Sequence, residues 1–161
     1  MTVFQEAEML RKVPFFEKLD PAKLKLLAFT SRAMRFAPGE ILMTKGESSD
    51  SAYVILEGEV EVLGETSGGE FVVAVVGCNA LIGEMSLILN GPRVATVRAK
   101  DAVRALRISA DVFLRLLCEN PSCSLHVMRM LSTRLAKTLR TLEALTEQLE
   151  AQPGSGRDTV T

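Results

Sequence analysis

The spacing of apolar residues changes twice along the chain, and those two changes leave few folds open. Between Arg35 and Ile108 apolar residues come in short stretches: Tyr53 to Leu56, Val60 with Val62, Phe71 to Val76, and Val94 to Val97. Turn-forming breaks at Gly46, Gly58, Ser67-Gly68-Gly69 and Asn90-Gly91 separate them. Stretches this short suit antiparallel strands, and several in succession suit an all-β sandwich or barrel. On either side the spacing is helical. The opening segment reads as a helix through Val13, broken at Pro14, with Phe15 and Phe16 as core anchors. Asp20-Pro21 supplies an N-cap and a proline at the first helical position, and Leu24, Leu27 and Ala28 follow on one stripe. Ser109 is a further N-cap, with Asp111 in the first turn and Val112, Phe113, Leu116 and Leu117 on one face before Asn120-Pro121 interrupts. The expected fold is α+β in one domain, residues 1–150. An antiparallel β jelly-roll barrel occupies about residues 35–108, with an N-terminal helical cluster before it and C-terminal helices over about 110–150.

The last helix is expected to be long, roughly 28 residues or about 42 Å at 1.5 Å per residue. Along it Met128, Leu131, Leu135, Thr138, Leu142, Leu145 and Leu149 form a heptad seam with one polar interruption. That seam predicts a parallel homodimer. In the competing reading its first half packs on the roll and the rest frays. Residues 151–161 contain Gln152-Pro153-Gly154-Ser155-Gly156 with no apolar anchor, and predict a disordered tail.

Composition narrows the function classes. With 161 residues and 47% hydrophobic content the chain suits one sizeable core. A formal net charge of −1 gives no long-range pull toward nucleic acid or an anionic membrane. No apolar run is long enough to span a bilayer, and Glu6 and Glu8 stand where a secretory signal would place basic residues. The expected location is cytoplasmic. Cys78, Cys118 and Cys123 make an odd set with no Cys-x-x-Cys, which fits a reducing compartment and idle thiols. His126 is the one histidine, and no metal-ligand spacing accompanies it. With no Ser/His/Asp set and no paired carboxylates in an evident cleft, neither an enzyme nor a cofactor is expected.

The chemistry concentrates in residues 82–99, Ile-Gly-Glu-Met-Ser-Leu-Ile-Leu-Asn-Gly-Pro-Arg-Val-Ala-Thr-Val-Arg-Ala. A helical turn opening at Gly83 presents backbone N–H groups without intrahelical partners, and these attract an anion. Gly83 lets a ligand approach the backbone closely. Arg93 adds a planar fork that grips two oxygens of one phosphate, and Pro92 fixes the backbone before it. A carboxylate at Glu84 repels a phosphate and so suits a hydroxyl donor, such as a ribose 2′-OH. Phosphate and sugar hydroxyl together suggest a nucleotide. Taken separately, Gly83-Glu84 and Pro92-Arg93 equally suit a solvated loop with a routine Glu–Arg pair.

The full spacing, Gly-Glu-x-x-Leu followed by Pro-Arg-x-Ala-Thr-Val-x-Ala, resembles the phosphate-binding cassette of the cyclic nucleotide-binding domain family. Catabolite activators, kinase regulatory subunits and gated channels carry such domains. Pro38-Gly39-Glu40-Ile41, Gly46, Asp50, Tyr53 and Gly58 match that family's strands in order and spacing, and the likeness runs from about Leu10 to about Leu149. The resemblance implies a cyclic nucleotide between the cassette helix and the roll. Gly83 and the N–H groups after it would hold the exocyclic phosphate oxygens, Arg93 would pair with the phosphate, and Glu84 would accept from the ribose. It also implies a backbone donor at Ala95, and Met85 and Ser86 lining the turn. Asp50 stands where kinase regulatory subunits buttress the cassette arginine; it is equally a turn-former between strands. Val94 occupies a position where guanine-selective domains often carry threonine or serine and where catabolite activators also carry serine. Valine donates no hydrogen bond, so the expected ligand is cyclic AMP, with cyclic GMP as the second candidate. Thr138 falls where catabolite activators set a threonine against the adenine amino group, and it also suits a register-setting polar residue in the seam.

The output is expected outside this chain. About a dozen residues follow Leu149, too few for the winged helix-turn-helix of a catabolite activator, so direct DNA binding is not expected. The leading expectation is a cyclic-nucleotide sensor that moves its C-terminal helices about Asn120-Pro121 and signals to an effector protein. The alternatives are a nucleotide-independent dimerisation module of the same fold, and the sensor part of a larger enzyme or transcription factor.

Overall fold

The computed structural model describes residues 2–152. Thr2 starts the first helix with a capping box. Its Oγ1 accepts from the Gln5 N–H while its own N–H donates to the Gln5 side chain. Helix α1 (Val3–Arg11) ends with Lys12 as C-cap, short of the Val13 expected. A single 3-10 turn, Pro14–Phe16, follows and buries both phenylalanines. Helix α2 (Pro21–Thr30) begins with proline at its first turn as expected, but Asp20 makes no side-chain cap bond. Its inward stripe is Leu24, Leu27 and Ala28.

Eight strands follow: β1 (Arg32–Phe36), β2 (Ile41–Met43), β3 (Ser51–Glu57), β4 (Val60–Thr66), β5 (Gly69–Val76), β6 (Leu81–Ile82), β7 (Thr96–Ala99) and β8 (Val103–Ser109). They form two four-stranded antiparallel sheets in the orders β1-β8-β3-β6 and β2-β7-β4-β5, a jelly-roll arrangement. The interior is filled by Phe36, Tyr53, Ile55, Val60, Val97, Val103, Ala105 and their neighbours, with Phe36 and Tyr53 in edge-to-face contact. The roll begins at Arg32, not Arg35, and the strand expected from Val94 begins only at Thr96. The cause of the later start lies in the backbone of Arg93. Its N–H donates to Glu47 O at 2.8 Å and its C=O accepts from Gly46 N–H at 2.9 Å, which ties this segment to the loop between β2 and β3.

Position within the sheets decides burial. Strand β3 lies between β8 and β6, and every residue from Ser51 to Leu56 is buried. Strand β5 is an edge, paired only with β4, and most of its residues are exposed. On the outer face a Cβ at Gly64 would stand 2.6 Å from Phe71 Cζ and 2.9 Å from Val73 Cγ2, so the absent side chain leaves room for that ring.

A short helix α3 (Glu84–Leu89) separates β6 from β7, and helix α4 (Ala110–Glu119) follows β8 directly. Ser109 caps α4, its Oγ accepting from Val112 N–H at 3.4 Å. After Asn120, helix α5 (Pro121–Ala151) runs for 31 residues. The chain divides into two compact units at Cys123–Ser124. Within the second, Met128, Leu135, Leu142, Leu145 and Leu149 of the seam are exposed. Ala151, assigned to the tail in the sequence reading, still belongs to α5, while residues 153–161 of that tail lie outside the described residues. Among the described residues no helix is long and apolar enough to cross a membrane.

Candidate functional site

The site is built where α3 meets β3. Gly83 caps α3 in the left-handed region at φ 82°, a conformation that L side chains rarely adopt. A Cβ there would lie 2.7 Å from Arg93 Nη1, so the same glycine that starts the helix admits the arginine. Asn90 ends the helix, also left-handed at φ 52°, and Gly91 N–H donates to Ser86 O at 3.0 Å. This tight exit turns the chain back so that Arg93 returns beneath the helix start.

Arg93 is 5% exposed. Its Nη1 donates to Gly83 O at 3.1 Å and to Ser86 Oγ at 3.4 Å, and its Nη2 donates to Ser51 Oγ at 3.3 Å. These acceptors are all neutral. The Asp50 carboxylate stands 3.9 Å away, beyond hydrogen-bond reach. A buried cation served by neutral oxygens is incompletely compensated. Burial accordingly pulls the guanidinium below its ordinary value; Tyr53 and Asp50 oppose that, and Arg107 reinforces it.

The surrounding groups form a connected set. Ser86 Oγ meets Ser49 Oγ at 2.7 Å and donates to Gly83 O at 3.2 Å. Ser51 Oγ, fully buried, accepts from Arg93 and donates to Asp50 Oδ1 at 3.0 Å. Asp50 Oδ2 pairs with Arg107 at 3.0 Å. Burial raises the Asp50 carboxyl, but the Ser51 hydroxyl, Arg107 and Arg93 together outweigh it and leave the group below the usual aspartate value. The main-chain oxygen of Asp50 accepts from Ala110 N–H, the first residue of α4, at 2.8 Å. Glu84, in the first turn of α3, is 3% exposed.

A cleft of about 450 Å³ opens beside the cassette, lined by Ser48, Ser49, Ser86, Leu87, Gly91 and Leu114 among others. Gly83, Glu84 and Arg93 are absent from its walls. An incompletely compensated guanidinium suits an anion better than this cleft does. Among the described residues no group of three or more His, Cys, Asp or Glu side chains is placed to hold a metal ion.

An arginine buried at the start of a short helix, beside a buried glutamate and within a two-sheet roll, matches a known arrangement. The profile of the family described as Cyclic nucleotide-binding domain matches residues 33–120. The chain belongs to the cyclic nucleotide-binding domain family. It is 33% identical over 115 residues to the cAMP-dependent protein kinase regulatory subunit of Mycosarcoma maydis, covering 68% of this chain and 22% of that one. It is 26% identical over 139 residues to the CRP-like cAMP-activated global transcriptional regulator of Mycobacterium tuberculosis, covering 86% and 62%. The chain thus spans less than two thirds of the length of either relative. The solved sensor domain of the transcriptional regulator DNR from Pseudomonas aeruginosa superposes with a TM-score of 0.76 at 25% identity, covering 86% of this chain and 93% of that one.

In this cyclic nucleotide-binding domain the residues singled out by sequence fall into two groups. Gly83, Ser86, Arg93 and Asp50 are brought together, with Glu84 on the same helix. Met85 and Ala95 are half-buried, while Val94 is 45% exposed. Thr138 lies in the second unit, where its hydroxyl donates to Arg134 O at 2.8 Å. Sequence reasoning missed Ser49, Ser51 and Arg107. Ser51 sits beside Asp50 and was within reach of the same reasoning; Arg107 lies far from the cassette in sequence and carries no local signal.

Proposed function

We propose that this domain is a cyclic-nucleotide sensor that prefers cyclic AMP and signals to a partner protein. The observation that carries the reading is Arg93, a buried cation that hydrogen-bonds to neutral oxygens, with the Asp50 carboxylate 3.9 Å away. A phosphate offers that guanidinium a charged, bidentate partner, a stronger one than any of the three oxygens it now holds. Glu84 accepts from the ribose 2′-OH, and Gly83, Met85, Ser86 and Ala95 line the phosphate. The kinase regulatory subunit and the transcriptional regulator reported above are named for cyclic AMP, and Val94 has no group to donate to a guanine edge. Phosphate binding re-aims Arg93, which loosens its bonds to Gly83 O and Ser86 Oγ and frees α3 to shift against β3. The exposed leucines of α5 suit a homodimer.

Calorimetric titration with cyclic AMP and cyclic GMP tests the reading. Arg93→Ala is expected to weaken cyclic AMP binding by about 1.5–3 kcal/mol, roughly ten- to a hundredfold, the loss typical of a charge-assisted hydrogen bond. Arg93→Lys keeps the charge without the fork and falls between the two. Undiminished affinity in Arg93→Ala overturns the role of that residue. Tighter binding of cyclic GMP overturns the ligand preference, and a wild type that binds neither nucleotide leaves the interaction module as the surviving reading.

A further inference from the structure

The carboxylate that could neutralise Arg93 is present but held elsewhere. Asp50 Oδ2 pairs with Arg107 at 3.0 Å, while Oδ1 stands 3.9 Å from Arg93 Nη2 and takes the Ser51 hydroxyl instead. The Asp50 side chain is largely exposed and so has room to turn, whereas Arg93 is fixed by three bonds. Arg107 projects from β8, opposite Tyr53 of β3, and its side chain is 27% exposed. The two arginines repel one another, and each faces a different carboxylate oxygen of Asp50.

We infer that Arg107 is a positioning residue for the anion site: it holds the Asp50 carboxylate out of hydrogen-bond reach of Arg93, so that the buried guanidinium stays open to an incoming phosphate. Without Arg107 the carboxylate closes on Arg93 and competes with the ligand for the same fork. Ser51 completes the device. Its hydroxyl stands between guanidinium and carboxylate, accepting from one and donating to the other, and fills the gap that a direct ion pair would occupy. A plain electrostatic role, in which Arg107 merely adds positive charge near a phosphate, makes a different prediction. It needs no aspartate.

The inference rests on the reading of Arg93 as a phosphate-binding group, and the test separates the two. Cyclic AMP is titrated into wild type, Arg107→Ala, Asp50→Asn and the double variant, with Arg107→Gln as a second probe of the same position. With Asp50 present, loss of Arg107 is expected to weaken binding about three- to tenfold; with Asp50→Asn the same change is expected to cost less than about twofold, since nothing remains to compete. Equal losses in the two backgrounds overturn the positioning role and leave a generic charge. The second measurement uses no nucleotide. A crystal structure of ligand-free Arg107→Ala is expected to bring the Asp50 carboxylate onto Arg93 at about 2.7–2.9 Å, the length of a charge-assisted bond. A carboxylate that stays near its present 3.9 Å overturns the inference whatever the titrations give. A wild type that binds neither nucleotide instead overturns the proposed function, and the crystal structure then still decides where Asp50 goes.

Discussion

Arg93 and Arg98 stand five positions apart in sequence, yet one is buried beneath α3 and the other lies on the outer face of the second sheet. Arg98 is bracketed by carboxylates, Glu70 at 2.9 Å and Glu61 at 3.7 Å, and its side chain is 32% exposed. Arg93 is 5% exposed and bonded to neutral oxygens. A cation fully matched by its neighbours holds strands together and has little left for a ligand. A cation kept from its carboxylate retains the capacity to bind one. The surroundings differ in the same sense: β3, which supports Arg93, is buried from Ser51 to Leu56, while β5, which supports Arg98 through Glu70, is exposed along most of its length.

The contrast can be broken most forcefully in the strands. Ile55→Ala in β3 is expected to destabilise the fold by about 2–5 kcal/mol, whereas Val73→Ala at the β5 edge is expected to cost less than about 1 kcal/mol, both read by denaturant unfolding. Similar losses would mean that β5 is covered in solution. Gly83→Ala comes next, at about 1–3 kcal/mol, since it both forces a non-glycine residue into the left-handed region and crowds Arg93. Its nucleotide affinity should fall in parallel. Arg98→Ala is expected to change stability by no more than about 0.5–1 kcal/mol, as exposed ion pairs do, and to leave nucleotide affinity unchanged. A large loss of binding there would erase the distinction between the two arginines. The smallest effect concerns acid. The Asp50 carboxyl is below its ordinary value in the folded state, so it contributes stability that is present above the unfolded aspartate range and lost as pH falls through the folded value. Unfolding midpoints measured from neutral pH into the acid range should therefore fall more steeply for wild type than for Asp50→Asn; parallel slopes would show that Asp50 is not held.

The helices and the cassette were legible because their signals are local. Asp20-Pro21, Ser109 and Asn120-Pro121 mark helix ends within a few residues, and Gly83-Glu84 and Pro92-Arg93 lie within one short segment. Strands β2 and β6, of three and two residues, are too short to show a period, and the start of β1 is obscured because Arg32 and Arg35 mask the inward Met34 and Phe36. The exposure of β5 was not legible. Phe71 to Val76 reads like an interior strand, and only its place at the edge of the sheet says otherwise. Nor was Arg107, because its partner is 57 positions away and an isolated arginine on a strand resembles any other surface charge. The segment after Arg93 reads as strand because Val94 to Val97 is apolar apart from Thr96; the two backbone bonds from Arg93 to the β2–β3 loop delay the ladder.

One bond described above gives Asp50 two audiences. Its side chain answers to the arginines, while its main-chain oxygen holds the first N–H of α4. Events at the carboxylate and the anchoring of that helix thus meet in a single residue, yet through chemically separate groups. Replacing the side chain with asparagine alters the first and leaves the second in place. A variant of that kind separates the charge balance around Arg93 from the main-chain bond that holds the start of α4.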